Sequence, residues 1–373
     1  MSLTTSSFDA TVGVWARSGQ PSRPGRADAD GPGGRWLERQ GSVWAQVGTL
    51  EGHESEVKGV AWHPHGTASG AALVATCGRD RSLWMWERVD DAPGGEAGAA
   101  PDARATKNDE SEDDFDRAPP GRMRGSSDDG SSTSSSDDGG AGEGGRAPPG
   151  QEWDVSWVNQ QAHAADIKGV AWWEPAPDAP RMPPPPPRLL SWGYDGVCHV
   201  WAEAGQGGAG GGEWRRWRSL RGHEGTVWAC VPLTGGGPGA LATAGEDGTV
   251  RVWTLGDANA DDVEPTAMAI LRLGPRPVFA LTALPAPEGA TRLLAATTGD
   301  NRIVLISVGR NTAGSMSLAL VAEVPAAHGP REANTAAFAP RPPPGEPGPE
   351  IAGLLATGGD DGTVRLWRVM ENH

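Results

Sequence analysis

A hydroxyl, an imidazole and a carboxylate recur as a set four times in this chain of 373 residues. The sets are His53, Thr76 and Asp80; His163, Ser191 and Asp195; His223, Thr243 and Asp247; and His328, Thr357 and Asp361. Such a trio could serve a hydrolase, in which the imidazole takes the hydroxyl proton and the carboxylate orients the ring. Repetition argues against that chemistry: four triads make no sense in one catalyst, whereas four copies of a structural tie do. A tryptophan follows each aspartate by six residues (Trp86, Trp201, Trp253 and Trp367), which a triad does not require. The sequence also has no Gly-rich phosphate loop and no metal-ligand spacing. His63 and His65 flank Pro64, but a lone pair is too few ligands for a metal. Three scattered cysteines (Cys77, Cys198 and Cys230) form no CxxC pair and no even-numbered disulfide framework. The chain reads as neither an enzyme nor a cofactor carrier.

Elements that repeat with the tie must position it. Five segments share one Asp-to-Trp spacing: Asp9 to Trp15, Asp80 to Trp86, Asp195 to Trp201, Asp247 to Trp253 and Asp361 to Trp367. A sixth copy is degenerate, with Asn301 at the Asp position and Ser307 at the Trp position. Upstream of most copies runs a second string, as in Gly52-His53 then Val57-Lys58-Gly59-Val60-Ala61-Trp62, or His163 then Ile167-Lys168-Gly169-Val170-Ala171-Trp172. These are short strands of period-two alternation bounded by polar turns. At this spacing they are the WD40 signature, and the fold class is an all-β propeller. In WD repeats the His, the Ser or Thr, the Asp and the Trp form a hydrogen-bonded chain, which a core tolerates only when every member is paired.

Each blade of such a fold has four strands, and the turns around the His and the Asp share one face, the top. Those turns keep their length. The slack falls on the opposite face, in the Pro-rich stretches Glu174 to Arg188 and Arg341 to Pro349 and in a long insert after Trp86. Between Val89 and Glu152 stand 16 acidic and 6 basic residues, so most of the net charge of −16 is local to that insert. The domain boundaries follow: propeller over 1–87, an acidic Ser- and Gly-rich insertion over 88–152 expected to be disordered, and propeller over 153–369. Its Ser-Ser-Asp-Asp runs (Ser126 to Asp129, Ser135 to Asp138) suit an acid-directed kinase, though an inert solvated loop explains them as well. No basic stripe for nucleic acid is present, and no run of about 18 apolar residues for a membrane. The face of constant geometry, the top, is the candidate for binding protein partners.

Some strings go beyond what the repeat needs. Glu51-Gly52-His53-Glu54-Ser55-Glu56-Val57-Lys58-Gly59-Val60-Ala61-Trp62, Cys77-Gly78-Arg79-Asp80-Arg81-Ser82-Leu83-Trp84-Met85-Trp86-Glu87 and Gly222-His223-Glu224-Gly225-Thr226-Val227-Trp228 resemble the WD-repeat family of cytosolic iron–sulfur protein assembly. The resemblance is densest from Leu50 to Glu87 and fades in the last two blades. It implies a seven-bladed adaptor, itself without cofactor, in a late targeting complex. The implied partners are a small targeting protein, a HEAT-repeat scaffold, a hydrogenase-like cluster carrier and client apoproteins that receive [4Fe–4S] clusters. The implied compartments are the cytoplasm and the nucleus. It also implies a functional arginine before the Asp of the second copy, here Arg79, able to make bidentate contacts to a carboxylate. The matching turn positions are Phe8, Tyr194, Glu246, Asp300 and Asp360, with Lys58, Lys168, Trp228, Phe279 and Asn334 expected beside them on the top rim. Arg79, Lys58 and Lys168 are expected to form a basic corner.

The count departs from seven. The chain enters the pattern within a blade, which gives about five full blades plus a fragment and predicts that the reading frame starts too late. The alternative function is a different WD40 adaptor, such as a cullin ubiquitin-ligase substrate receptor. The Trp-Asp-x-Arg feature frequent in those receptors is absent: Ala16, Glu87, Ala202, Thr254 and Arg368 follow the tryptophans.

Overall fold

The computed structural model describes residues 2–18, 43–66, 70–89, 151–174, 186–204, 213–233, 239–255, 264–284, 293–310, 315–339 and 351–370. The acidic insertion and both Pro-rich loops lie mostly or wholly outside those residues. The disorder expected of the acidic insertion and its Ser-Ser-Asp-Asp runs fall outside them too.

All elements among the described residues are antiparallel strands, in six sheets. None is a helix, so none is a helix long and apolar enough to cross a membrane. The first sheet holds β1 (Ser2–Ser6), β2 (Thr11–Ser18) and β3 (Val43–Glu51). The second holds β4 (Val57–Trp62), β5 (Leu73–Gly78), β6 (Leu83–Val89) and β7 (Glu152–Asn159). The third holds β8 (Ile167–Trp173), β9 (Arg188–Gly193), β10 (Val197–Ala204) and β11 (Glu213–Arg221). The fourth holds β12 (Val227–Leu233), β13 (Ala240–Gly245), β14 (Thr249–Thr254) and β15 (Ala267–Arg272). The fifth holds β16 (Val278–Ala283), β17 (Leu293–Thr298), β18 (Ile303–Arg310) and β19 (Met316–Val324). The sixth holds β20 (Ala333–Phe338), β21 (Ile351–Gly359) and β22 (Val364–Met370).

Five repeats and a fragment become four complete sheets and two of three strands, because repeat and sheet are out of step by one strand. Each sequence repeat begins with the outermost strand of the preceding sheet. β3 to β6 is one repeat, for instance, but β3 pairs with β2 and not with β4. This stagger makes each repeat contribute to two sheets.

Burial tracks position within a sheet. In the second and fourth sheets the second strand is flanked by sheets on both faces and is wholly buried, and its residues are small and mostly apolar, Leu73-Val74-Ala75-Thr76-Cys77-Gly78 and Ala240-Leu241-Ala242-Thr243-Ala244-Gly245. The outermost strand has one face in water and alternates, as in β15. Five apolar clusters form the core, and each joins two consecutive sheets.

Candidate protein-binding site

The four recurring sets close as continuous hydrogen-bonded chains. In the second sheet His53 Nδ1 lies 2.8 Å from Asp80, its Nε2 lies 2.8 Å from Thr76 Oγ1, and Trp86 Nε1 donates to the same hydroxyl at 2.9 Å. His163 meets Asp195 at 3.0 Å and Ser191 at 2.8 Å, with Trp201 Nε1 on Ser191 at 2.8 Å. His223 meets Asp247 at 3.1 Å and Thr243 at 2.8 Å, with Trp253 on Thr243 at 2.8 Å. His328 meets Asp361 at 3.0 Å and Thr357 at 2.9 Å, with Trp367 on Thr357 at 2.9 Å. Indole can only donate and carboxylate can only accept, which fixes the direction of the bonds at the two ends of each chain. Trp gives to the hydroxyl, and Nδ1–H gives to the carboxylate. The hydroxyl is thereby held between the indole and Nε2. Burial lowers the His223 pKa, in keeping with a neutral ring. Burial raises the Asp80 carboxyl, but the hydrogen bonds from His53 and Ser82 outweigh it and hold its pKa at about 2.

A glycine two residues before the Asp makes room for the ring. A Cβ on Gly245 would stand 2.4 Å from His223 Nδ1. The fifth sheet has Thr298 there, and this exposes a one-residue error in the sequence alignment. Thr297 pairs with Ile303 as Ala244 pairs with Val250. Asn301 has φ of 67°, the left-handed value that Gly248 and Arg81 adopt just after their aspartates. Asp300 therefore holds the Asp position, not Asn301, and Ile306 holds the Trp position, not Ser307. Among the described residues no histidine binds Asp300. Arg302 and Thr298 bind it instead, and their bonds outweigh the effect of burial to lower its pKa. The turn residue equivalent to Arg79 is accordingly Gly299, not Asp300: Gly299 N bonds Pro277 O as Arg79 N bonds Glu56 O.

The rim residues share a backbone device. In every complete first strand the pairing slips by one residue: between Val57 and Gly59, Ile167 and Gly169, Val227 and Ala229, Val278 and Ala280, and Ala333 and Thr335. The residues left out of the ladder are Lys58, Lys168, Trp228, Phe279 and Asn334. A β-bulge re-aims the side chain of its extra residue, and here five bulges present five rim side chains at one level.

Those side chains touch across sheets. Lys58 Nζ lies 5.7 Å from the Tyr194 ring, and Lys168 Nζ lies 5.1 Å from the Trp228 ring. Trp228 meets Tyr194 at 5.8 Å and Phe279 at 5.2 Å, both edge-on. Its Nε1 donates to Glu246 at 2.6 Å, and Asn334 Nδ2 donates to Asp360. Lys58, Tyr194, Trp228, Phe279, Lys168 and Glu246 thus form one strip over four consecutive sheets. Cation–π contacts tie its aromatic faces to its charges. Arg79 is exposed at the β5–β6 turn. Glu56 interrupts the expected basic corner: it binds Lys58 Nζ at 2.9 Å. Burial lowers the Lys168 pKa, with Lys58 as the second cause and Glu56 opposing. Phe8, at the matching turn of the first sheet, is 85% exposed.

Glu56 and the bulges were not read from sequence. Glu56 is one of three glutamates in seven residues, and nothing in the string says which faces Lys58. The bulge has a signal in four of these five first strands, the polar or aromatic residue wedged between Val or Ile and a small residue at the start.

The remaining candidates are accounted for by packing. His63 packs edge-on against Trp172, and its pKa is lowered first by burial; His65 contacts Glu174. Ligand atoms of His163, Asp195 and His199 lie within 4.8 Å of one another, but both ring nitrogens of His163 are spent in its latch. All three cysteines are buried, and burial pushes the Cys77 thiol up, away from reactive thiolate.

Comparison with known proteins agrees with this architecture. The family model for the WD domain, G-beta repeat, matches residues 44–87, 214–254 and 349–368. Among curated proteins, "Probable cytosolic iron-sulfur protein assembly protein 1" of Neosartorya fischeri is 38% identical over 112 residues, covering 24% of this chain and 23% of that protein. The protein of the same name from Mycosarcoma maydis is 43% identical over 99 residues, covering 24% and 20%. The chain thus spans less than a quarter of the length of these relatives. Among solved structures, the crystal structure of the Mitotic Checkpoint Complex superposes with a TM-score of 0.53 at 15% identity, over 99% of this chain and 72% of that one. That of Chaetomium thermophilum Sqt1 bound to the N-terminus of ribosomal protein L10 gives 0.55 at 15%, over 98% and 68%. At such identity these share the fold alone.

Proposed function

We propose that this chain, a propeller of WD40 repeats, is a non-catalytic adaptor in cytosolic iron–sulfur protein assembly and that it binds its partners on the top rim. One observation carries the reading: four β-bulges raise Lys58, Lys168, Trp228 and Phe279, which with Tyr194 of the β9–β10 turn make a strip of cations and aromatics that the fold itself does not need. Aromatic residues with a few charges are the composition of an interface centre. The stretch that resembles the assembly family, Leu50 to Glu87, carries Lys58 and Arg79. The implied partners are the HEAT-repeat scaffold, the small targeting protein, the hydrogenase-like carrier and client apoproteins. The working compartment is the cytoplasm, with the nucleus for nuclear clients.

Affinity capture of the tagged chain from its own cells tests this. Recovery of the scaffold and the small targeting protein is expected, with loss of both in Trp228→Ala and weakened recovery in Arg79→Ala. A cullin adaptor in their place, or full recovery by both variants, overturns the proposal.

A further inference from the structure

A second surface feature lies away from the rim strip, between the second and third sheets. It is an open pocket of about 550 Å³. Arg81 lines it from the β5–β6 turn, and Arg216 and Arg221 line it from β11. The floor is His199, which is 2% exposed and bonds Ser219 through Nδ1 at 2.9 Å. Cross-strand pairing puts these groups on one face: Val197 opposes Arg221, His199 opposes Ser219 and Trp201 opposes Arg216.

The residue at the floor differs from its counterparts in the other sheets. In the fourth and sixth sheets the position of His199 holds Arg251 and Arg365, whose guanidinium groups bind the latch aspartates at 3.0 Å and 3.1 Å. In the second sheet it holds Trp84, stacked on Trp86 at 5.3 Å. Histidine is shorter than either and leaves space. Asp195, the one carboxylate lining that space, is occupied by His163 and by the amides of Ala164 and Val197. None of the three lining arginines has a carboxylate partner among the described residues. Three unpaired guanidiniums around a cavity are unexpected in a chain of net charge −16, where acidic partners are abundant.

We propose that this pocket binds a phosphate monoester carried on a protein partner, a phosphoserine or phosphothreonine side chain, through Arg81, Arg216 and Arg221. Guanidinium presents forked donors that match tetrahedral phosphate oxygens. A phosphate near −2 offsets more of the three charges than a carboxylate does, and it offers three acceptor oxygens rather than two. The site is separate from the rim strip, so it stands or falls independently of the adaptor reading.

The test is fluorescence anisotropy of the full chain with a labelled Gly/Ser heptapeptide bearing one central phosphoserine. Its Asp and unmodified Ser counterparts and inorganic phosphate complete the set. Saturable binding of the phosphopeptide is expected, at least about tenfold tighter than the Asp peptide. Arg216→Gln/Arg221→Gln should weaken it by about tenfold or more through lost charge. His199→Trp, which puts the bulk of an indole on the pocket floor, should weaken binding by about tenfold or more through lost volume. Circular dichroism melts establish that both variants are folded. Trp228→Ala should bind as the parent does. No binding by the parent, equal binding by a folded variant, or an Asp peptide as tight as the phosphopeptide overturns the proposal. Inorganic phosphate binding as tightly as the phosphopeptide overturns its peptide-borne part.

Discussion

The fourth and sixth sheets carry nearly the same strand, Thr249-Val250-Arg251-Val252-Trp253 and Thr363-Val364-Arg365-Leu366-Trp367. Their latches have the same geometry within 0.1 Å from ring to hydroxyl. Yet Val250 and Val252 are 0% exposed, while Val364 and Leu366 are 74% and 67% exposed. The difference is the neighbour. Val250 and Val252 share an apolar cluster with Leu281, Leu294 and Ile306 of the fifth sheet. No cluster joins the sixth sheet to the first among the described residues, so Val364 and Leu366 face water. A repeat sequence sets strand, turn and latch; burial is a property of the pair of sheets.

The sharpest test of that contrast is a charge in each place. Val252→Asp puts an unpaired carboxylate in a closed apolar cluster and should cost on the order of 4 kcal/mol, a large part of a domain's stability. Leu366→Asp places the same charge in water. Urea melts of the two variants should differ by most of that amount. Near-equal losses would mean that sheet contact does not set burial here.

This contrast also marks where sequence reading stops. The Asp-to-Trp spacing located five turns and all four latches, because each latch requires fixed residue types at fixed separations. In the fifth sheet the latch is gone, and with it the anchor. Asp300 and Asn301 are both polar turn residues, and only the left-handed φ of Asn301 and the pairing of Thr297 with Ile303 decide between them. Lys58 and Trp228 were legible as rim residues through their repeat position. That a bulge aims them was not, since a bulge is a relation between two strands. The pocket at His199 escaped notice for a similar reason: Arg216 and Arg221 belong to a strand of irregular register, 17 and 22 residues beyond it.

A middle-sized effect separates the two latches. Removing an imidazole strands a buried hydroxyl and carboxylate, a loss of about 2 kcal/mol where water cannot reach. His223→Ala should show that in full, because the Arg251 side chain shields Asp247. The equivalent Arg365 side chain is 44% exposed, against 14% for Arg251, and Asp361 is 16% exposed against 4% for Asp247. His328→Ala should therefore cost about half as much. Equal losses would show that solvent access at the sixth sheet does not relieve the unpaired groups.

Acid titration gives the next contrast. Burial raises the Asp247 carboxyl, but Thr249 and His223 outweigh it and hold the pKa at about 2, against 3.8 for a free side chain. A folded pKa below the unfolded one stabilises the fold above 3.8, and the gain is lost as pH falls towards 2. Asp80 acts in the same window and in the same direction. Between pH 5 and 2 the parent should lose roughly 2 kcal/mol for each such carboxylate, and Asp247→Asn should flatten that slope by one such contribution. A melting series showing an unchanged slope for Asp247→Asn would mean that Asp247 titrates alike in the folded and unfolded chain.

The smallest effect is the most informative about the sixth sheet. Val364, Leu366, Arg368 and Met370 alternate onto one face of β22, and Met370 is 56% exposed. The other face buries Val369, alongside Phe338 and Leu355 against the fifth sheet. Leu366→Gln trades an exposed apolar side chain for an exposed polar one of similar length. A surface change of this kind stays within about 0.5 kcal/mol. The same exchange at Val252 would place an unsatisfied amide in the core at a cost of about 1–3 kcal/mol. Thermal melts of Leu366→Gln at two protein concentrations decide which of the two costs applies at this face. An unchanged midpoint at both concentrations means that water covers this face. A fall of the size expected at Val252 means that something apolar covers it in solution, and dependence on concentration would make that cover a second copy of the chain.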